Sequence, residues 1–160
     1  MENQTTLKYG GYPMKWYKWQ IYFLLFATAL ACLGNGLMYL TGGMYRQTGY
    51  TAEMIYGLYP AMKTPDMFAG FLYLVQMVIA LMARWKLAGL KADGPTYLYV
   101  SYAMSVVTEV VYAMMVAGAM NVSLTAVVNV GSLLGSVIGT GLMIWLNRIY
   151  FTKRKVLFVN

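Results

Sequence analysis

The sequence contains no histidine, a single cysteine, Cys32, and only five acidic residues among its 160 positions. A structural zinc site, a bis-histidine haem, a Cys-X-X-Cys redox pair and an intrachain disulfide each need more of these side chains than the chain has. A nucleophile activated by a neighbouring base is equally short of partners. We therefore expect no enzymatic activity, no metal and no cofactor.

Apolar side chains, in contrast, are abundant. Sixty per cent of the residues are apolar or aromatic, 11% are charged, and the mean hydropathy is +0.56. This composition is too apolar for a water-soluble domain of this size. The net charge of +7 comes from cations at the ends of apolar segments, without a basic face interleaved with stacking aromatics. We expect a protein that lies in lipid and binds no nucleic acid.

Four windows are long and apolar enough to cross a bilayer, which takes about 20 helical residues. They are residues 20–40, 67–85, 96–120 and 124–147. Thr64, Pro65 and Asp66 supply an N-cap, an N1 proline and a first-turn acid for span two, and Asp93-Gly94-Pro95 breaks the chain before span three. A turn at 121–123 makes spans three and four a helical hairpin. The sequence predicts an all-α bundle of four transmembrane helices in a single membrane domain, 1–160.

Ten of the twelve Lys and Arg residues precede span one, lie between spans two and three, or follow span four. Only Arg46 and Lys63 lie on the opposite side. The positive-inside rule then places both termini in the cytoplasm. Trp16, Trp85 and Trp145 lie at the same interface, where amphipathic rings are enriched. We expect a bacterial inner-membrane protein.

The first apolar run has a second interpretation, because Lys15 and Lys18 precede a stretch that ends at Cys32 like a signal peptide with a lipidation site. The residue three before Cys32 is alanine, where such sites carry leucine, and the run continues to Leu40. We expect an uncleaved span.

The segment 41–63 is the one long loop, and it carries four tyrosines, at 45, 50, 56 and 59. Thr51 is a candidate N-cap for a short helix that Pro60 ends. The loop either anchors a connector at the interface or forms a lid or partner-binding surface.

Each span carries polar residues at helical spacing, so that they share one face. In order along the chain they are Thr28, Cys32, Asn35 and Tyr39; Tyr73 and Gln76; Tyr102, Ser105, Glu109 and Tyr112; and Asn129, Ser132, Ser136 and Thr140. These faces should point inward, because polar groups exposed to hydrocarbon are costly. We expect a polar centre at Gln76, Glu109 and Ser136, with Asn35 nearer an outer opening.

Glu109 has no Lys, Arg or His at its depth. Desolvation favours the neutral acid there, which we expect to bond Gln76, Tyr112 or a serine. Glu109 either exchanges a proton for a cation or forms an interhelical hydrogen bond that fixes helix register. The candidate proton, cation or substrate site comprises Glu109, Gln76, Tyr112, Ser105, Ser136, Tyr73 and Asn35.

Gly131, Gly135 and Gly139 recur every four residues in span four. This pattern lets two helix backbones approach closely, either inside the bundle or in a homodimer. A third interpretation is that the small residues line a pathway. After span four, Lys153, Arg154 and Lys155 are expected to contact anionic headgroups, while Tyr150, Phe151, Leu157 and Phe158 face acyl chains. The tail is either such a basic anchor or a docking motif for a cytoplasmic partner.

The ending "NRIYFTKRKVLFVN", residues 147–160, resembles that of small uncharacterised four-span membrane proteins of Gram-positive bacteria, which share Asn-x-x-Tyr-Phe-x-Lys-Arg-x-x-Leu-Phe. The likeness implies a four-span fold and no particular activity. Four spans, aromatic richness and one membrane glutamate also resemble small multidrug-resistance exporters in outline, although those are shorter and carry the glutamate in their first span.

Two functions follow from these patterns. One is an accessory, regulatory or self-protection protein that binds another membrane component, such as a partner protein or a second copy of the chain. The other is a proton-linked transporter of small apolar or cationic compounds through Glu109.

Overall fold

The computed structural model describes residues 14–158, and all regular structure in that range is helical. Four helical segments are long and apolar enough to cross a membrane: Lys15–Thr41, Pro60–Ala88, Gly94–Met120 and Val130–Thr152. The predicted all-α bundle of four spans is confirmed. These segments are called spans one to four below.

Span one begins with the α-helix Lys15–Trp19, passes through a π-helical turn, Gln20–Leu24, and continues as the α-helix Leu25–Thr41. A π-turn places an extra residue in the helix and shifts the face on which the following side chains lie. The span ends at Gly42, whose φ of 68° is left-handed and favours glycine.

The loop after span one is largely helical. A 3₁₀ turn, Gly43–Thr48, leads to the α-helix Ala52–Leu58, here called the loop helix, and then to a second 3₁₀ turn, Pro60–Met62. The Thr51 hydroxyl accepts a hydrogen bond from the Met54 N–H at 3.3 Å, as predicted for an N-cap.

The α-helix of span two, Lys63–Ala88, starts directly after the second 3₁₀ turn, with Met62 at the N-cap position. The prediction that Thr64 caps this helix is therefore wrong. Because the helix starts one residue before Thr64, Pro65 and Asp66 both fall in its first turn, where the proline lacks only an N–H that would have no helical partner.

Span three, Gly94–Met120, ends at Asn121 in the left-handed conformation, with φ 54°. The chain then forms a short helix, Leu124–Val127, becomes extended at Val128, and enters span four, Val130–Thr152. Span four therefore lies later than the predicted 124–147. The Asn129 side chain sets its start by accepting a hydrogen bond from the Ser132 N–H at 3.2 Å.

Span two packs between spans one and three, and span four packs on span three. The main hydrophobic core lies at the end of the bundle that holds Lys15, Lys91 and Arg148, here called the basic end. The opposite end, which carries the loop helix, is called the loop end. The core contains Tyr17, Ile21, Leu25, Ala80, Ala83, Leu87, Leu98, Phe151 and Phe158.

The tail folds back into this core. Phe151 and Phe158 are buried and pack edge to face, 5.3 Å between ring centroids, and Tyr17 lies against Phe158 at 6.0 Å. The expectation that these two phenylalanines face acyl chains is wrong, because burial against Tyr17 removes their rings from any surrounding lipid.

Spans one and two cross at a pair of glycines. A Cβ on Gly36 would lie 3.2 Å from the Gly70 carbonyl oxygen, and a Cβ on Gly70 would lie 3.0 Å from the Gly36 oxygen. Only the absence of both side chains allows this backbone approach.

Candidate functional site

A buried carboxylate lies at the loop end. Asp66 is fully buried, and its Oδ2 accepts hydrogen bonds from the hydroxyls of Tyr45 at 2.6 Å and Tyr56 at 2.9 Å. Its Oδ1 accepts a third from the Tyr112 hydroxyl at 3.0 Å. A carboxylate has about four lone-pair sites, so three phenols satisfy most of its hydrogen-bonding capacity. Asp66 thus joins the loop, span two and span three.

Aromatic rings extend this cluster towards the middle of the bundle. Tyr39 of span one packs edge to face on Tyr112, with 5.1 Å between ring centroids, and stacks on Tyr73 of span two at 5.5 Å. Tyr45 and Tyr56 also pack edge to face, at 5.9 Å. The three spans and the loop therefore share one tyrosine cluster around Asp66, which we call the tyrosine cluster.

The two loop phenols, Tyr45 and Tyr56, act as hydrogen-bond donors to Asp66. Burial, followed by the hydrogen bond to Asp66, raises the pKa of Tyr56 to about 12. The same causes raise the pKa of Tyr45 well above its ordinary value. Both hydroxyls therefore keep their protons at neutral pH and stay bonded to the carboxylate.

Sequence reasoning missed this cluster because each part had a simpler interpretation. Asp66 fits a first-turn acid at a helix start, and the loop tyrosines fit either interfacial anchoring or a lid or partner-binding surface. The one available signal was the coincidence of a tyrosine-rich loop with an acid at the first turn of the following span. The inward position of Tyr45 and Tyr56 shows that the loop is attached to the spans instead of lying free over them.

At mid-bundle, Gln76 is buried, and its Nε2 donates hydrogen bonds to Ser105 Oγ at 2.6 Å and to the Ser101 carbonyl oxygen at 3.3 Å. The structure thus brings together two of the predicted site residues, Gln76 and Ser105. Gln76 Oε1 is buried without a hydrogen-bond partner among the described residues.

Glu109 is half-buried and lies one turn along span three from Ser105. Within residues 14–158 its carboxyl makes no hydrogen bond, so the expected bonds to Gln76, Tyr112 or a serine are not formed; Gln76 bonds Ser105 and Tyr112 bonds Asp66 instead. Among the described residues, therefore, Glu109 makes no interhelical hydrogen bond of the kind that would give it a purely structural role.

The remaining predicted members are dispersed. Asn35 is exposed, and Ser136 is half-buried on span four. No hydrogen bond joins either side chain to another residue in the described part of the chain. Of the predicted members, Gln76 and Ser105 are joined by a hydrogen bond, and Tyr73 and Tyr112 are linked through the ring of Tyr39.

A second polar contact lies at the basic end. Asn147 of span four is fully buried, and its Oδ1 accepts hydrogen bonds from the Gln20 side-chain amide and from Trp16 Nε1, the latter at 3.0 Å. Asn147 Nδ2 donates to the Met143 carbonyl oxygen at 2.8 Å. This contact ties the end of span four to the start of span one.

Elsewhere, the residues that the structure describes leave span four largely uncovered. Only 6% of its apolar window is buried, against 22% for span three, 28% for span one and 33% for span two. A Cβ built on Gly135 or Gly139 meets nothing within 4 Å, and one on Gly131 meets only Asn129 of its own helix. The expectation that these glycines pack inside the bundle is wrong, because span three contacts a different face of span four. The three glycines define what we call the glycine face.

The three cations of the tail differ in exposure. Lys153 and Lys155 are exposed, as headgroup contacts require. Arg154 is half-buried, its guanidinium lies 3.8 Å from the Tyr150 ring centroid, and its Nη1 donates to the Tyr150 carbonyl oxygen at 3.2 Å. Arg154 therefore interacts mainly with the end of span four, which it stabilises, and less with lipid.

Within residues 14–158, no three His, Cys, Asp or Glu side chains come together as a metal site would require. Comparison of the chain with protein-family models, curated proteins and solved structures finds no match.

Proposed function

We propose that the protein is a non-enzymatic accessory, regulatory or self-protection protein of a bacterial cell membrane, and that it binds another membrane protein through the glycine face of span four. The observation that carries the proposal is the contrast in burial. In span four 6% of the apolar window is buried, whereas 22% or more is buried in the windows of the other spans. A fourth span that served only to complete the bundle would present its small residues to its own neighbours.

The glycine face is suited to a helix. In lipid, helices associate through close packing of small residues, since burial of apolar surface provides no driving force there. Gly135 and Gly139 lie one turn apart with open space outside them. A partner helix can therefore approach the backbone of span four closely, as spans one and two approach each other at Gly36 and Gly70.

Site-specific photo-crosslinking in the cell membrane tests this proposal. Leu142 is exposed and lies three residues after Gly139, on the glycine face. Val137 is also exposed but lies on the other uncovered side of the helix. A photoreactive residue at 142 should give a discrete protein adduct, and one at 137 should give lipid adducts only. Mass spectrometry of the adduct identifies a partner protein or a second copy of this chain.

Gly135→Leu supplies the matching loss of function. Leucine fills the open space, and it favours the helix over glycine by nearly 1 kcal/mol, so the fold is retained. Its bulk blocks close approach, and the adduct at 142 should fall about tenfold or more. Gly118→Leu, at another helical glycine with no neighbour within 4 Å, is the control and should leave the adduct unchanged. Equal yields of the adduct in Gly135→Leu and Gly118→Leu would show that the partner does not bind through the glycine face.

A second candidate function is supported by Glu109. We infer that a half-buried membrane carboxyl without a hydrogen-bond partner among the described residues is available to bind a proton or a small cation, as a proton-linked transporter of apolar or cationic compounds requires.

Reconstituted vesicles under an imposed pH gradient test this candidate. The wild type should move protons in exchange for a lipophilic cation, and Glu109→Gln should abolish that exchange. Glu53→Gln, at an exposed acid in the first turn of the loop helix, is the matched control and should retain full exchange. Identical fluxes in wild type and Glu109→Gln, or none in either, would end the transporter candidate.

A further inference from the structure

The basic end carries a cleft between the start of span three and the end of span four. This cleft has a volume of about 390 Å³ and is lined by Pro95, Tyr99, Arg148, Thr152 and Lys155 among others. Cavities of about 300–1,000 Å³ hold small-molecule ligands. The cleft is called the headgroup cleft below.

The charge in the headgroup cleft is of one sign. Arg148 and Lys155 are exposed cations, and neither forms an ion pair with any residue between 14 and 158. The acid nearest in sequence to the lining, Asp93, is already paired with Lys86, and this bond lowers the pKa of the Asp93 carboxyl below its ordinary value. Two cations with no carboxylate between them among residues 14–158 favour an anion.

Neutral donors surround the same space. Thr152 offers a hydroxyl and Tyr99, half-buried, offers a phenol, while the first turn of span three, at Pro95, presents the positive end of a helix dipole. An arginine, a lysine and hydroxyl donors together match the oxygens of a phosphate group, since the guanidinium fork bonds two of them at once.

A second groove adjoins the same turns of span four. It has a volume of about 370 Å³ and is lined by Trp145, Arg148, Ile149, Thr152 and Lys153. The two spaces share Arg148 and Thr152. Towards the spans the second groove is apolar, because Trp145 and Ile149 are both exposed along span four. It is called the acyl groove below.

We propose that the headgroup cleft and the acyl groove together bind one anionic phospholipid. Its phosphate bonds Arg148 and Lys155, its headgroup occupies the space beside Tyr99, and its acyl chain runs along Trp145 and Ile149. The apolar groove that continues from the shared arginine favours a lipid over a free phosphate, which has nothing to place against indole and isoleucine. The site does not involve the glycine face and is independent of the proposed partner.

Native mass spectrometry of the full chain, titrated with phosphatidylglycerol or with zwitterionic phosphatidylcholine, tests the proposal. Phosphatidylglycerol should bind more tightly, and Arg148→Gln should weaken its binding about tenfold, because charged hydrogen bonds to the phosphate are lost. Lys155→Gln should weaken it in the same direction. Lys15→Gln removes one equally exposed cation from the same end and should change the affinity by less than about twofold.

Further measurements distinguish a lipid site from a site for soluble anions and from diffuse electrostatic attraction. Glycerol phosphate and inorganic phosphate should fail to displace the lipid; displacement by either would show a site for soluble anions and overturn the proposal. Equal losses in Arg148→Gln and Lys15→Gln would show diffuse attraction of the basic end to any anionic surface and would also overturn it. Gly135→Leu should bind the lipid like the wild type, so that failure of partner binding and failure of lipid binding can be distinguished.

Discussion

Asp66 shows how one side chain can organise the loop end. Its carboxylate forms no ion pair with a described residue, yet it is fully buried and accepts three phenol hydroxyls. Burying a charge is costly unless hydrogen bonds replace the lost water, and three donors to one carboxylate meet that requirement. Two of those donors belong to the loop, so the hydrogen bonds that satisfy the carboxylate also hold the loop on the spans.

Replacing Asp66 should release the loop without unfolding the bundle. In Asp66→Asn the amide NH₂ faces a phenol that previously donated, and charge-assisted bonds are lost. We expect the free energy of loop opening to fall by about 2 kcal/mol, which corresponds to roughly thirtyfold faster amide exchange over residues 43–58. Hydrogen exchange with peptide resolution measures this effect.

Two variants act as controls for that measurement. Tyr112→Phe removes the one donor that comes from a span and should leave exchange in the loop close to that of the wild type. Glu53→Gln neutralises an exposed acid of the loop helix itself and should change exchange little. Uniform acceleration across all four spans in Asp66→Asn would mean that the carboxylate supports the whole bundle instead of the loop.

At the scale of single helices, the glycines that the sequence pattern predicts to pack differ from those that pack in the structure. The regular Gly131, Gly135 and Gly139 spacing predicted packing that span four does not make within the bundle. The pair that does let two helices approach, Gly36 and Gly70, lies in different spans and forms no repeat in either. The spacing of glycines within one helix shows where its surface is smooth. The surface that it packs against depends on how two helices cross, and a local sequence pattern does not determine that crossing.

The crossing of spans one and two should therefore be intolerant of a methyl group. A Cβ on Gly70 would lie 2.7 Å from Leu40 Cγ and 3.0 Å from the Gly36 carbonyl oxygen. We expect Gly70→Ala to destabilise the protein by about 1–3 kcal/mol, because backbone cannot move aside as a side chain can. Thermal unfolding of the purified protein in detergent measures the change.

Gly34→Ala is the matched control for the crossing. Gly34 lies on the same helix as Gly36 but has no neighbour within 4 Å. The added methyl group there should be neutral or stabilising by up to about 1 kcal/mol, since alanine favours the helix over glycine. A loss of stability in Gly34→Ala equal to that in Gly70→Ala would attribute both effects to something other than close packing.

For the whole molecule, composition and periodicity predict the fold well, and the site only in part. The apolar windows predicted four spans because twenty apolar residues can satisfy their backbone in lipid only as a helix. The predicted polar faces of spans two and three do meet, because Gln76 donates to Ser105. Among the described residues, however, no hydrogen bond joins Gln76, Glu109 and Ser136 into the expected polar centre. The Asp66 cluster was missed because its donors lie 10, 21 and 46 residues away along the chain, beyond any local pattern.

The charge distribution of the whole molecule makes one further prediction, its orientation. Nine Lys and Arg residues among those described lie towards the basic end, and two, Arg46 and Lys63, towards the loop end; Lys8, also counted in the sequence, lies outside the described residues. Retention of positive segments in the cytoplasm should leave the loop end outside the cell.

Labelling of single cysteines with a membrane-impermeant maleimide tests this orientation. In a Cys32→Ala background, a cysteine at the exposed Gln47 of the loop should react in intact cells. A cysteine at the exposed Ala92, in the turn between spans two and three, should react only after permeabilisation. The reverse pattern would place the basic end outside, where anionic lipids of the cytoplasmic leaflet could not reach the headgroup cleft. Labelling of both positions in intact cells would indicate a mixed population, which a strong bias of positive charge opposes.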